Sequence, residues 1–492
     1  MYMKTKFIFL ISFLIISSAE AGNWNNCGGN PSRNGLSDIP GPDAATVLWE
    51  GTSNGLFGTP IYIDGDKLVT MRFSSLTNAP VVCHNIYTGQ LLWSAEITNG
   101  TGRSLPIGFR DGTVYVVVYT ESNNDSLVAL NALTGQRVWA SKPGIAISIT
   151  SSCVFASNGD LIVEGSGFKI LRINHLTGAN VWATSAVPRV VGHTEPVVYG
   201  NTVYIWEAVA LGENITAYDI NTGTRKYTKV IPDTNPGGPL QQMAPMVGSN
   251  GIIYAYKSGD NVTALQDNGS ALNILWTTPV RGNSPFSMMG EGPDTSIYVP
   301  SYGKILRLSK NTGKSYDSTA SLGNPDLFIA RVSVGSDGKV YITSESTFLC
   351  ASSNLSTIFS ETINGLNTSG CSIGPNNVLA VCGNGTTLKV YKTSVTSVFN
   401  QQISANNFSL KQNYPNPFNP NTTIKYELSK SNIVLLKIYD ILGNELKTLV
   451  NGRQNAGSYS ISFDGSGFTS GTYFYKLTAG DFTETKKMIL NK

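Results

Sequence analysis

The feature that most constrains this chain is a turn motif that returns about every 45 residues. Five segments share it: Asn85-Ile-Tyr-Thr-Gly89, Asn131-Ala-Leu-Thr-Gly135, Asn174-His-Leu-Thr-Gly178, Asp219-Ile-Asn-Thr-Gly223 and Ser309-Lys-Asn-Thr-Gly313. Trp93, Trp139 and Trp182 follow the first three glycines by four residues, and Tyr227 follows the fourth. A looser copy has Asn268-Gly269 followed by Trp276. A short polar residue that caps a turn, then a glycine free to take positive φ, is the chemistry of a hairpin. The aromatic falls on the outgoing strand, placed to wedge between neighbouring sheets.

A second marker lies about 25 residues ahead of each glycine. Tight turns at Asp64-Gly65-Asp66, Asp111-Gly112, Asn158-Gly159-Asp160, Gly200-Asn201, Asn250-Gly251, Asp337-Gly338 and Asn376-Asn377 separate β-branched runs, and Pro293-Asp294 stands in the sixth place. Eight units of four short antiparallel strands result, from about Leu56 to Phe399. The last two lack the Thr-Gly turn. One such sheet cannot bury both its faces, whereas radial packing of repeats can. The expectation is an all-β chain with an eight-bladed β-propeller, a seven-bladed ring or an open solenoid being the alternatives. Thr46-Val-Leu-Trp-Glu50 reads as an orphan outer strand able to complete the last blade.

The expected organisation is a signal peptide over residues 1–21, the repeat domain over 22–400, a linker over 401–412 and a small domain over 413–492. Lys4 and Lys6 precede the apolar run Phe7–Ile16, and Ala19-Glu20-Ala21 places cleavage between Ala21 and Gly22. Ten apolar residues are too few to span a bilayer, and no later segment is long and apolar enough, so no transmembrane segment is expected in the mature protein. In the last part, six alternating stretches between Thr422 and Leu490, divided by glycine turns, read as a small Ig-like β-sandwich.

Charged residues make up 14% of the chain and the net charge is +3. Lysine and arginine form no dense run, so the concentrated basic patch that nucleic acid binding requires is missing. The six cysteines include no adjacent pair and no CxxC, which argues against zinc-ribbon and thioredoxin-type chemistry. Export carries thiols into an oxidising environment, and Cys371 and Cys382, on neighbouring expected strands, are the candidate disulfide. The three histidines, His84, His175 and His193, are too dispersed for a metal motif. No catalytic, cofactor or metal residue is assigned. The long connections on one face of the ring are where ligands are expected; Arg189, His193, Glu195, Trp206 and Arg281 are the candidates there or near the channel.

Two resemblances follow. The pattern [Asn/Asp]-x-x-Thr-Gly-x-x-x-Trp, with Trp24 and Gly29-Asn-Pro-Ser-Arg-Asn-Gly35 ahead of it, resembles the pyrroloquinoline-quinone-type propeller repeat. That superfamily holds quinoprotein alcohol dehydrogenases and cofactor-free scaffolds, including the propeller lipoprotein of the outer-membrane barrel-assembly machine. Its enzymes hold the quinone with adjacent cysteines, a stacking tryptophan and calcium; this chain lacks the cysteine pair and an acidic cluster that matches. Asn413-Tyr-Pro-Asn-Pro-Phe-Asn-Pro420, Ile438-Tyr-Asp-Ile-Leu-Gly443, Gly471-Thr-Tyr-Phe-Tyr475 and Lys486-Lys-Met-Ile-Leu490 are similar to the type A C-terminal sorting domain of type IX secretion cargo. That resemblance implies Pro415, Pro417, Gly443, Gly471, Tyr473, Lys486 and Lys487 as sorting-signal residues, the type IX machinery as partner, and delivery across the outer membrane to the cell surface or medium. The expected function is a secreted or cell-surface binding or scaffold protein with a protein or glycan ligand. The alternative is a quinone-dependent dehydrogenase or another extracellular enzyme.

Overall fold

The computed structural model describes residues 23–51, 61–72, 80–97, 102–120, 126–145, 152–167, 169–185, 195–209, 212–231, 245–257, 261–282, 287–325, 328–364, 366, 370–382, 388–393, 409–413, 416–428, 432–441, 443–454, 457–480 and 482–491. The chain divides into two compact units, Met1–Ser394 and Val395–Lys492. Both are all-β. The described residues contain one 3-10 turn, Pro375–Asn377, and no helix long and apolar enough to cross a membrane.

The first unit holds eight four-stranded antiparallel sheets among its described residues. Their innermost strands, in order, are Tyr62–Asp64, Gly102–Arg110, Val154–Phe155, Val197–Tyr199, Met246–Val247, Gly290–Glu291, Ala330–Val334 and Cys371–Gly374. Seven sheets run in simple chain order. The eighth takes its outer strand from the start of the chain: Val47–Gly51 pairs antiparallel with Leu388–Lys392, as the orphan strand in the sequence led us to expect.

Each sheet buries both faces against its neighbours. Phe109 and Val116 of the second sheet pack on Tyr62 and Val69 of the first. Phe155 and Leu161 of the third pack on Ile107 and Tyr115 of the second. The succession continues until Ile373 and Leu379 of the eighth meet Ile63 and Leu68 of the first. The middle strands are consequently buried on both sides; Ile252–Lys257 and Val340–Ser344 are buried at every position.

The repeat motif is the bracket that joins one sheet to the next. Asn85 Oδ1 accepts the N–H groups of Tyr87 and Thr88 at 3.0 Å each, and Thr88 Oγ1 accepts that of Gln90 at 3.3 Å. Asp219 does the same for Asn221 and Thr222, both at 2.9 Å. The tryptophan of the preceding sheet then lies against the turn glycine. Trp93 Nε1 donates to the carbonyl of Ala132 at 2.7 Å, and its ring lies 2.7 Å from where a Cβ on Gly135 would stand. Trp49, Trp139, Trp182 and Trp276 repeat this with Ile86 and Gly89, His175 and Gly178, Ile220 and Gly223, and Lys310 and Gly313. The Trp49 bracket joins the eighth sheet to the first. Between the fourth and fifth sheets Tyr227 replaces tryptophan, and its hydroxyl donates to Asp267 instead.

The second unit contains a three-stranded sheet (Ser409–Leu410, Asn421–Leu428, Gly457–Asp464) and a four-stranded one (Glu445–Gln454, Asn432–Tyr439, Gly471–Ala479, Phe482–Leu490). Ile424 and Tyr426 of one sheet share a core with Leu436, Ile438, Tyr475 and Leu477 of the other.

Two glycines separate the bracket from mere backbone preference. Gly112 has φ +71° and open space where a Cβ would go, whereas Gly135 has φ +70° and the Trp93 ring there. Gly112→Ala should cost about 1 kcal/mol for the left-handed conformation, and Gly135→Ala roughly 2 kcal/mol more for the clash. Equal losses in urea unfolding would contradict the bracket.

Candidate functional site: the mouth of the ring and its buried polar centre

The chain ahead of the first sheet crosses the ends of the inner strands on the tight-turn side. Asn23 Nδ2 donates to Asp64 Oδ1 at 2.7 Å, and Trp24 exchanges backbone hydrogen bonds with Ile63 of the first sheet. The carbonyl of Asn25 accepts from Phe109 N–H in the second sheet at 3.0 Å. Cys27 N–H donates to Ser152 Oγ at 3.0 Å, beside the third. The carbonyls of Pro31, Ser32, Asn34 and Gly35 accept from Val198, Val247, Glu291 and Val334, in the fourth to seventh sheets, at 2.7–2.9 Å. Six inner strands, and the residue that leads into the third sheet, are thus visited in chain order. Gly35 has to be glycine: its φ is +65°, and a Cβ would lie 2.7 Å from the Val332 carbonyl.

Under this segment lies a buried polar centre. Arg33 is 2% exposed. Its Nε donates to Pro196 O at 2.9 Å, Nη1 to Cys27 O at 3.0 Å and Nη2 to Ser152 O at 2.7 Å. Glu195 Oε2 lies 2.8 Å from Nη1 and neutralises it. Burial pushes the Glu195 carboxyl above its usual range, against the pull of Arg33 and Arg331. Burial likewise raises the Cys27 thiol, whose sulfur lies 3.4 Å from Arg331 Nη1 and 3.2 Å from Met288 Sδ. Glu291 ties a second knot: its carboxylate accepts from Asn34 Nδ2, Ser249 N–H and Ser249 Oγ, all at 2.8 Å, and pairs with Lys310 Nζ at 2.6 Å. Arg33, Glu291 and Lys310 were not singled out in the sequence. A lone Arg inside Gly29-Asn-Pro-Ser-Arg-Asn-Gly35 gave no periodic or charge-cluster signal.

The expected ligand residues do not assemble into one site. Arg189 and His193 lie outside the described residues. Arg281 is exposed. Glu195 is spent on Arg33. Trp206 is corrected to a core residue: it is 1% exposed and packs between the fourth and fifth sheets with Val247, Ile253 and Leu265. The proposed Cys371–Cys382 disulfide is also corrected. All six cysteines are buried, and none is in a disulfide. Cys371 stands opposite Val381 in the ladder, so Cys382, one residue on, points to the other face of the sheet.

The buried donors do not fit a quinone held with calcium. Glu195 and Glu291 are each paired with a cation, and no two cysteines are adjacent in sequence. Among the described residues no three His, Cys, Asp or Glu side chains converge on one point.

His175 has a structural place. Its Nδ1 lies 3.0 Å from Asp160 Oδ1, and Arg172 Nε donates to Asp160 Oδ2 at 2.9 Å. His84 packs on Trp49.

Ala21 and Gly22, in the first unit, and Pro415, in the second, lie outside the described residues. Pro417 and Lys487 are exposed. Gly443 has φ +85° and Gly471 has open space around it. Tyr473 OH donates to Thr469 O at 2.7 Å, and Lys486 pairs with Glu484 at 3.0 Å. The asparagines of the Asn-Tyr-Pro-Asn-Pro-Phe run anchor it to the sheets. Buried Asn413 donates its N–H to Tyr475 OH at 2.7 Å and its Nδ2 to Thr422 Oγ1 at 2.9 Å. Asn416 Oδ1 accepts from Ile489 N–H at 2.9 Å, and Phe418 is buried against Leu490.

Comparison with known proteins agrees with both units. Residues 77–319 match the family profile described as outer membrane protein assembly factor BamB, and residues 412–491 match the secretion system C-terminal sorting domain. The quinohemoprotein alcohol dehydrogenase ADH IIB of Pseudomonas putida is 24% identical over 277 residues, covering 51% of this chain and 38% of its own. The dehydrogenase subunit of the quinone alcohol dehydrogenase of Gluconobacter oxydans (strain 621H) is 23% identical over 282 residues, 48% of this chain and 36% of its own. The chain therefore spans well under half the length of these curated relatives. The crystal structure of BamB from Moraxella catarrhalis superposes with a TM-score of 0.53 at 14% identity, covering 71% of this chain and all of that one.

The first unit is thus a quinoprotein-type repeat β-propeller. The second is a type IX C-terminal sorting domain, and the chain is a secreted or cell-surface protein.

Asp160 offers a pH test. Burial alone would raise its carboxyl, but hydrogen bonds from His175, Asn158 and Arg172 hold it below the usual carboxylate range. A depressed folded-state pKa stabilises the fold at neutral pH, and this is lost as pH falls through the lowered value. Asp160→Asn should destabilise by about 1–3 kcal/mol at neutral pH. The gap to wild type should close below about pH 4 in urea unfolding. A gap that ignores pH would refute this.

Proposed function

We propose that this protein is an extracellular binding or scaffold module, delivered by its C-terminal unit, with a protein or glycan ligand on the long-connection side of the ring. The observation that carries the reading is the polar centre under the tight-turn mouth. Two of its carboxylates engage the chain's own N-terminal segment: Glu195 pairs with Arg33, and Glu291 accepts from Asn34. A rigid ring whose centre is used structurally suits recognition through its connections. The likeness to the curated dehydrogenases favours fold over activity, because a shared scaffold does not carry a site with it.

On this reading residues 1–21 are a signal peptide removed between Ala21 and Gly22. The protein crosses the inner membrane first and the outer membrane by the type IX machinery, which reads the tail. Deleting Asn407–Lys492 should leave the protein in the periplasm, as followed by fractionation and immunoblot. Surface delivery without the tail would overturn the export route.

Purified protein mixed with pyrroloquinoline quinone and calcium should show no rise in unfolding temperature and no dye reduction with alcohols. A saturable shift with turnover would replace the scaffold reading by the dehydrogenase one.

A further inference from the structure

We infer that Asn23–Gly51 is a closing strap, the last part of the propeller to dock, and that the buried Arg33 is its latch. The segment has almost no structure of its own. Apart from a few short turns, such as Gly35 N–H to Gly28 O at 3.0 Å, its backbone hydrogen bonds go to other sheets. Their partners run from Ile63 to Lys392, whose N–H donates to Thr46 O at 3.0 Å. The strap carbonyls cannot find their N–H donors until the inner strands of successive sheets stand side by side. Its own strand Val47–Gly51 cannot pair until Leu388–Lys392 has formed. Loop-closure entropy for contacts this distant is met only after local hairpins are in place.

The side chains make docking all-or-none. Arg33 needs carbonyls from three separate places, Cys27, Ser152 and Pro196, and a carboxylate from Glu195. With the strap out, Glu195 loses its ion pair with Arg33 and keeps only the pull of Arg331. With the strap in but Arg33 removed, Glu195 is held in the interior without that cation, an arrangement far more costly than the intact pair. Trp24, Asn26 and Cys27 are also buried by docking, at 3%, 0% and 2% exposure. One segment therefore closes the mouth of the ring and supplies the outer strand of its eighth sheet. The two events are coupled because residues 43–46 alone join them.

The test uses the full chain. During refolding, pulse-labelled hydrogen exchange read by mass spectrometry should place protection in two steps. The turn amides of Gly89, Gly135, Gly178, Gly223 and Gly313, bonded within their own hairpins, should be protected first. The amides of Ile63, Phe109, Val198, Val247, Glu291 and Val334, which donate to strap carbonyls, should follow together with residues 23–51. Protection of the strap with or before the turns would overturn the inference. In the folded Arg33→Met variant the six strap-bonded amides should exchange about a hundredfold faster while the turn amides keep their protection. Arg33→Lys, which keeps the charge but loses the fork, should fall between. Unchanged strap amides in Arg33→Met, or loss of protection everywhere, would each contradict a latch that acts only at closure.

Discussion

The contact between a tryptophan ring and the turn glycine of the next sheet joins five of the eight neighbouring pairs of sheets in the first unit. Each sheet is four short strands with two apolar faces, and neither face can be left in water. The Asx turn sets the hairpin, the glycine leaves room, and the indole fills that room while its N–H satisfies a turn carbonyl. The same side chain thus supplies apolar burial and a directed hydrogen bond. It fixes the offset between sheets as well as their adhesion. Trp49 extends the pattern across the junction of the chain's two ends.

The N-terminal strap answers a different need. Inner strands that converge on an axis leave backbone groups and polar side chains at the mouth, where sheets no longer cover one another. An extended segment running around that mouth pairs those groups in sequence. The cost is a buried arginine, offset by three carbonyls and a carboxylate. The C-terminal unit follows a similar economy, with Asn413 and Asn416 tying an entry segment to Tyr475 and the last strand.

Much of this was legible in the sequence, for physical reasons. Hairpin turns have local chemistry, so Asn85–Gly89 and its copies announced themselves, and so did Val47–Gly51 as a strand without a neighbour. The strap was not legible because its partners are spread over seven sheets and its order comes from them. Trp206 was misplaced because middle strands buried on both faces show no alternation to tell core from surface. Cys371 and Cys382 were paired by proximity of strands, whereas the register, set by the turn at Pro375–Asn377, puts them on opposite faces. The prolines of the sorting motif drew notice over its asparagines, whose hydrogen bonds reach residues some 60 to 75 positions away.

The claim that the tryptophan and the turn glycine act as one unit is tested most directly by a double-mutant cycle on Trp93 and Gly135. Unfolding free energies of the wild type, Trp93→Ala, Gly135→Ala and the double variant are measured in urea. The account predicts that alanine at 135 costs much less once the indole is gone, leaving a coupling energy of roughly 1–3 kcal/mol. Losses that simply add, to within about 0.5 kcal/mol, would show that the two residues stabilise the ring independently and would contradict the bracket.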